Sequence, residues 1–277
     1  MTPSKRKPAM KLLDGKKILI SGVANQKSIA WGIAKCLHEA GAQLAFLCLP
    51  SNSRRVKKLA QQLDSDIVIE CDVRNDSQIE NAFKSVDSAF QSELHTLVHS
   101  IAYANIAELG DEFLKVSREG WSLALEISAF SLVAFSRYAR PLMNNAGGGS
   151  IIALTFSGGE RVVPGYNIMG IAKAALNMSI RYLAYDLGPE NIRVNGISSG
   201  PIITLSSMMV EDFNNALDIT AKHSPMLRNI SVEEVGNSAL YLASVLSSGL
   251  TGQIIHVDSG ANILMAPSKT HPKYIQR

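Results

Sequence analysis

Residues 17–34 read KILISGVANQKSIAWGIA, and this stretch decides the fold class. Its first five residues form an apolar run that predicts a buried strand, and the apolar residues after Ser28 recur at helical spacing. A turn between such elements is where an α/β fold can bind phosphate, because the first amides of a helix are unpaired donors. However, Gly22 and Gly32 are ten residues apart, and Ala24 stands where the dinucleotide motif has a second glycine. The motif alone leaves both a nucleotide loop and a plain strand–helix turn open.

The same alternation of strands and helices continues along the chain. Seven strands are predicted, at 17–21, 43–47, 66–70, 96–100, 150–154, 193–197 and 254–257. Six helices fill the gaps, at 29–40, 53–63, 77–90, 118–143, 166–187 and 232–246. Most strands are continuously apolar, which is typical of strands covered on both faces. The sequence therefore predicts an α/β protein, a single-domain, Rossmann-like, doubly wound parallel sheet of seven strands with helices on both faces.

No linker or shift of composition divides this pattern. We therefore expect one dinucleotide-binding and catalytic domain over 13–265, with a disordered N-terminal tail at 1–12 and a C-terminal tail at 266–277. Gly41 and Gly188 are predicted to end helices, and Ser231 with Glu234 is predicted to form a capping box at a helix start.

Composition excludes several classes of protein. The 277-residue chain is 46% hydrophobic and 18% charged, as folded proteins are, and its net charge of +3 gives no argument for nucleic acid. The three cysteines form no CxxC pair, so neither disulfides nor a metal site are predicted. Residues 1–17 lack the apolar core of a signal peptide, and the apolar stretch 121–135 is too short to span a bilayer. We expect a cytoplasmic protein without a membrane partner.

The segment after the second predicted strand bears on the choice of nucleotide. Residues 49–55 read LPSNSRR and contain no Asp or Glu. Many folds of this class place an acid there to hold the adenosine ribose, and its absence leaves room for a 2′-phosphate. Arg54 or Arg55 could meet that phosphate, but a basic helix start in water explains the same residues.

Tyr166 and Lys173 are seven residues apart in a predicted helix. That separation is about two turns, so the two side chains lie along one face. A hydroxyl that can donate a proton, beside a fixed cation, suits an enzyme that stabilises a negative oxygen during its reaction. The isolated pair is equally compatible with two solvated side chains on a surface helix.

Several further motifs together define a resemblance. They are GVA at 22–24 with SIA at 28–30 and GIA at 32–34, CDV at 71–73, HSIA at 99–102, YNIM at 166–169 with AK at 172–173, RVN at 193–195, SGPI at 199–202 with Thr204, and TGQ at 251–253 with HVD at 256–258. The chain resembles the enoyl-acyl carrier protein reductases of bacterial fatty acid synthesis, a divergent branch of the short-chain dehydrogenase/reductases. The motifs cover nearly the whole predicted fold.

This resemblance implies a set of site residues. Cofactor contacts are implied at Gly22, Ser28, Ile29, Asp72, Val73, Ile101, Lys173, Ile202, Ile203, Thr204, Leu205 and Ser206. Substrate contacts are implied at Ala104, Tyr166, Met209 and Phe213. Among these, Gly22, Ser28 and Ile29 would line the pyrophosphate, and Lys173 would hold ribose hydroxyls. For Asp72 the capping of a turn stays open as a second interpretation.

The implied reaction transfers hydride from NADH, or alternatively NADPH, to the β-carbon of a trans-2-enoyl thioester on acyl carrier protein. The enolate oxygen then needs a donor, for which Tyr166 with the nearby charge of Lys173 is the catalytic pair. Phe156 stands ten residues before Tyr166, where many relatives carry a second active-site tyrosine, and its ring cannot donate a proton. Leu49 and Ile203 also depart from the Gln and Arg common in the family.

Two further expectations follow from the resemblance. In this family the segment equivalent to 205–223 is a mobile flap over the acyl chain, so Met209 and Phe213 would line the acyl path, although ordinary packing explains such residues too. Relatives form tetramers of twofold symmetry through the long apolar helix and the C-terminal strand, so a homotetramer is expected.

Two rival functions are weighed against this one. A 3-oxoacyl reductase would carry Tyr-x-x-x-Lys and an upstream serine, but none of the seven tyrosines has Lys four positions later, and Ala153 stands at the serine position. A catalytically silent, nucleotide-binding regulator would keep the same fold and cofactor loop, and Phe156 is the best argument for it.

Overall fold

The computed structural model describes residues 11–205, 207–209 and 213–265. The strands found there are β1 (Lys17–Ser21), β2 (Gln43–Cys48), β3 (Val68–Glu70), β4 (Thr96–His99), β5 (Gly149–Thr155), β6 (Ile192–Ser199) and β7 (Ile254–Val257). The α-helices found there are α1 (Ile29–Glu39), α2 (Ser53–Ala60), α3 (Asp76–Phe90), α4 (Arg118–Leu125), α5 (Ser131–Asn145), α6 (Asn167–Leu187), α7 (Phe213–His223) and α8 (Val232–Ala243). The strands form one parallel sheet in the order β3-β2-β1-β4-β5-β6-β7. The predicted Rossmann-like fold is confirmed.

Both faces of the sheet are covered by helices. Ile18 and Ile20 of β1 point into an apolar core shared with α1, α2 and α8, whereas Leu19 points into the opposite core, shared with α3, α5 and α6. Successive side chains of a strand face opposite sides of the sheet, so a strand buried on both sides is mostly apolar along its whole length instead of at every second position. Burial on both sides explains the continuous apolar runs in the sequence.

The strand order reverses at β1, which pairs with β2 on one side and with β4 on the other. Ligands of open α/β sheets bind in the crevice at such a switch point, beyond the carboxyl ends of the strands. Gly22, directly after β1, has a φ of +89°, and a Cβ added to it would lie 1.9 Å from the carbonyl oxygen of Ser100, directly after β4. Only glycine therefore allows these two loops to meet at the crevice.

The helix boundaries differ from the prediction in four places. The predicted helix over 118–143 consists of α4, a π-helical turn (Glu126–Phe130) and α5. The predicted helix over 232–246 ends at Ala243, because Ser244 is extended and caps a separate 3-10 turn. The predicted helix over 53–63 ends at Ala60 and continues as a 3-10 turn. The helix α7 was not among the predicted helices.

The predicted capping residues are confirmed at three helix termini. Ser231 and Glu234 form the capping box at the start of α8, Gly41 follows α1 with a φ of +99°, and Gly188 caps α6. Residues 11 and 12 of the predicted N-terminal tail are described, and Leu12 packs against the apolar core beside α1. The rest of that tail and the predicted tail 266–277 lie outside the described residues. Among the helices of the described ranges, none has the length and apolar character needed to cross a membrane.

Candidate active site

The turn after β1 is shaped by one serine. The hydroxyl oxygen of Ser28 accepts the backbone N–H groups of Ala24 and Asn25, each at 3.1 Å. Ser28 precedes α1 with extended backbone, makes no side-chain hydrogen bond into the helix, and no acidic residue stands in the first turn of α1. The turn is thus folded back on itself, and the positive end of α1 has no acidic neighbour within its first turn, which suits an anion.

The loop after β3 holds an ion pair. The carboxylate of Asp72 accepts the backbone N–H and the guanidinium of Arg74, and these bonds hold the pKa of Asp72 below its usual range. The backbone N–H of Asp72 donates to Gln78 at 2.8 Å, and the neighbouring Val73 is buried. Asp72 therefore shapes its own turn, which was the second interpretation of this residue.

One basic side chain of α2 reaches the turn after β1. The guanidinium of Arg55 donates to the carbonyl oxygen of Ala24 at 3.3 Å and so joins α2 to this turn, and both Arg54 and Arg55 are exposed. Leu49, where relatives often carry Gln, is 45% exposed.

Lys173 carries a buried charge beside the crevice. Its side chain lies in the second turn of α6, only 6% exposed, and Nζ donates to the carbonyl oxygen of Leu154 in β5 at 2.8 Å. Burial lowers the pKa of Lys173 to about 8. An ammonium group has three hydrogens, so donors remain for another acceptor such as a hydroxyl.

His99 stays neutral next to this lysine. It is fully buried at the end of β4, where burial, reinforced by the charge of Lys173, lowers its pKa to about 3. Its Nε2 lies 2.7 Å from the hydroxyl of Ser131 at the start of α5. A group with this pKa does not serve as an acid or base near pH 7, so His99 contributes packing and hydrogen bonding.

Tyr166 stands at the N-cap of α6 and contacts Phe156. The ring centroids of Tyr166 and Phe156 are 5.1 Å apart at an interplanar angle of 71°, an edge-to-face contact. Burial raises the pKa of the Tyr166 phenol above its ordinary value. The phenol therefore stays protonated at neutral pH and can donate, whereas Phe156 contributes only its ring.

Three glycines that the sequence analysis did not single out let the loop after β5 close onto α6. A Cβ on Gly158 would lie 2.5 Å from the Tyr166 ring, and a Cβ on Gly159 would lie 2.7 Å from the Lys173 backbone. A Cβ on Gly170 would lie 2.8 Å from the carbonyl oxygen of Gly158. The adjacent glycines after a strand were the available signal for this close approach.

Two further predicted residues, Ala104 and Ile101, lie in apolar clusters. Ala104 is buried against Ile168, Met169 and Ala172 in the cluster that Tyr166 joins, and Ile101 packs on the core. Ser207 ties the turn after β6, because its hydroxyl accepts the Thr204 N–H at 2.8 Å.

The structure does not bring every predicted residue to the crevice. Ile202 packs on the core, whereas Ile203 and Leu205 are about half exposed, at 51% and 47%. Phe213 begins α7 and is partly buried. Ser206 and the side chain of Met209 lie outside the described residues.

The donors that surround the crevice fit a dinucleotide. The Ser28 turn and the start of α1 offer backbone amides to a pyrophosphate, and the buried Lys173 ammonium has donors left for ribose hydroxyls. A doubly wound sheet with these features at its switch point, and a protonated phenol about two turns before the lysine on α6, are the features of a nicotinamide-dependent reductase of the short-chain type.

Comparison with known proteins identifies the branch. The family model described as "Enoyl-(Acyl carrier protein) reductase" matches residues 22–262. The NADH-type enoyl-[acyl-carrier-protein] reductase FabI of Bacillus subtilis is 48% identical over 254 residues, which cover 91% of this chain and 97% of the relative. The chain belongs to the enoyl-acyl carrier protein reductase family, which confirms the resemblance and the enzyme class predicted from the sequence.

Solved structures agree with this assignment. The Bacillus cereus enoyl-acyl carrier protein reductase with NADP+ and indole naphthyridinone has a TM-score of 0.90 at 48% identity, covering 93% of this chain and 100% of that one. The Anaplasma phagocytophilum reductase in complex with NAD has a TM-score of 0.89 at 41% identity, covering 93% and 97%. Neither rival function proposed from the sequence is supported by these relatives.

The buried charge of Lys173 predicts a specific dependence of stability on pH. Its pKa falls from an ordinary 10.5 to about 8 on folding, so between these values the unfolded chain binds more protons and stability rises with pH. Over that pH window, the free energy of unfolding should rise by about 3 kcal/mol. Lys173→Met should lack this rise, whereas the exposed Lys58→Met should keep it. Urea unfolding at pH 8, 9 and 10 measures both; parallel curves for Lys173→Met and the wild type would contradict the assignment.

Proposed function

We propose that this enzyme reduces the trans-2-enoyl thioester of an acyl carrier protein to the saturated thioester, with NADH as hydride donor and NADPH as an alternative. The observation that carries the proposal is the arrangement on α6, where a protonated phenol stands two turns before a buried ammonium. The reaction would take place in the cytoplasm, where Cys36, Cys48 and Cys71 would stay reduced, and cell fractionation would check this.

The chemistry follows from the charge that the reaction creates. Reduced nicotinamide, when bound, supplies the hydride to the β-carbon of the substrate. The thioester oxygen then becomes an enolate oxygen, and the Tyr166 phenol is the donor to it. A proton then reaches the α-carbon and completes the saturated thioester. Lys173 adds a positive charge in surroundings with little water, where a charge acts more strongly than at the surface. Phe156 keeps the shape of the pocket without adding a second donor.

The cofactor is held by residues of the crevice. Gly22, Ser28 and Ile29 would bind the pyrophosphate, and Asp72 with Val73 would flank the adenine. Lys173 would donate to the ribose hydroxyls. Ile101 and the segment 202–206 would lie along the nicotinamide half, and Ala104 would contact the acyl thioester beside Tyr166.

Removing the Tyr166 hydroxyl should abolish most of the turnover. Tyr166→Phe keeps the ring that packs on Phe156 but leaves the enolate oxygen without a donor, and kcat should fall about 100-fold or more. The loss of reduced-nicotinamide absorbance with a crotonyl thioester measures it. Tyr241→Phe, on α8, is the control and should retain activity. Full activity of Tyr166→Phe would exclude the proposed donor.

We also propose that α7 and the 3-10 turn before it cover the acyl chain, with Met209 and Phe213 lining its path. Phe213→Glu would place a charge against the acyl tail, so KM for a twelve-carbon thioester should rise about tenfold while KM for the crotonyl thioester and for NADH changes little. Asn214→Glu adds the same charge at the exposed neighbouring position and serves as the control. A uniform loss with both thioesters would contradict the cover.

A homotetramer of twofold symmetry is the assembly that we propose. Met178, Tyr182 and Tyr185 form an exposed stripe on α6, and they are 49%, 68% and 82% exposed. Residues at this spacing share one face of a helix, and contiguous exposed apolar surface is typical of interfaces. Light scattering should give about four times the 29.9 kDa chain mass, and Tyr182→Lys with Tyr185→Lys should lower it. A monomeric wild-type protein would refute the assembly.

A further inference from the structure

Asn167 has an unusual backbone conformation for its place in the fold. It is the first residue of α6, directly after Tyr166, and its φ is +34°. Asp64, Gln91 and Asn191 also have positive φ, but they stand just after helices, where this conformation is common. At the start of a helix it persists only when surrounding contacts hold it, and such strain is concentrated at functional sites.

The contacts that hold Asn167 come from its own side chain. The amide Nδ2 donates to the carbonyl oxygens of Glu108 and Asp111, at 3.3 and 2.6 Å. An asparagine amide nitrogen carries two hydrogens, so both are used by this pair of acceptors. The acceptors belong to the segment 105–117, which leads from β4 to α4 and lies about 60 residues from Asn167 in sequence.

The accepting segment is itself held in place. The hydroxyl of Ser117 donates to the Glu108 carboxylate at 2.8 Å, and Glu108 lies so near α4 that a Cβ on Gly120 would be 1.8 Å from its Oε2. Leu109 is buried in the same cluster as Ile168, the second residue of α6. The Asn167 amide therefore binds to a segment that can act as an anchor.

Tyr166 directly precedes Asn167 in the chain, and its ring contacts the ring of Phe156. Its phenol must meet a particular oxygen of the substrate, and small displacements of a reacting group cost much of the rate. We propose that Asn167 is a positioning residue, which aims the Tyr166 phenol by tying the start of α6 to the carbonyls of Glu108 and Asp111. The proposal rests on the role given above to Tyr166.

Asn167→Gly tests the side chain separately from the backbone, because glycine adopts positive φ without strain. It should lower kcat with a crotonyl thioester about tenfold, while the Kd for NADH, measured by nicotinamide fluorescence, stays within about twofold. Asn167→Asp keeps the shape but presents a carboxylate to two carbonyl oxygens, and it should lose at least as much. Together the two variants keep the test informative if one of them folds poorly.

Asn191→Gly is the matched control. Asn191 follows α6 at the opposite end, has a φ of +58°, and donates from Nδ2 to the carbonyl oxygen of Gly147 at 3.1 Å. The substitution removes the same kind of hydrogen bond from the same kind of backbone, and kcat should stay within about twofold of the wild type.

A second readout does not require turnover. In protein with ¹³C-labelled tyrosine, the Tyr166 ring resonance, assigned with Tyr166→Phe, should shift in Asn167→Gly and stay in place in Asn191→Gly. An unchanged Tyr166 resonance, or wild-type kcat in Asn167→Gly, overturns the proposal. Shifts of all the tyrosines, with NADH affinity falling in step with kcat, would indicate general damage and also count against it. An inactive wild type would instead refute the proposed function, and the resonance would still decide the role of Asn167.

Discussion

The close approach of the Gly22 backbone to the carbonyl of Ser100 is the constraint on which the site depends. It brings the turn after β1 against the loop after β4, and this crevice exists because no Cβ intervenes. The loop after β4 is held in turn by Ser128 of the π-helical turn, whose hydroxyl accepts the Tyr103 N–H at 2.9 Å and lies 3.1 Å from the Tyr103 carbonyl oxygen. The nucleotide side and the substrate side of the crevice are therefore parts of one connected backbone arrangement.

Burial favours the neutral form of the ionisable groups described in the crevice. It raises the pKa of Tyr166 and lowers the pKa of Lys173 and His99, so each group shifts toward its neutral form. Within the described part of the chain, burial is the cause of the shift for Tyr166 and Lys173, and neither side chain is paired with a carboxylate there. A negative charge that forms in the crevice would therefore meet donors that are not already neutralised by an acidic partner.

A feature of the fold or of the site could be predicted from the sequence only where particular residue types mark it. The seven strands could be predicted, because burial on both faces favours apolar residues along most of each strand, and the Tyr166–Lys173 pair was visible through its spacing. The hydrogen-bond partner of Lys173 is a backbone carbonyl of β5, and no residue type in the sequence indicates such a partner. The conformation of Asn167 likewise depends on carbonyls distant in sequence, and the π-helical turn contains no glycine or proline to mark it.

The π-helical turn between α4 and α5 has a consequence for helical phase. Each residue of an α-helix advances the chain by about 100° around the axis, so a turn with one additional residue rotates everything before it relative to everything after it. Ser128 within this turn faces the loop after β4, and Ser131, three residues later, contacts His99 at the end of β4. A single-residue deletion within 126–130 would restore an even helix and rotate α4 by about 100° relative to α5.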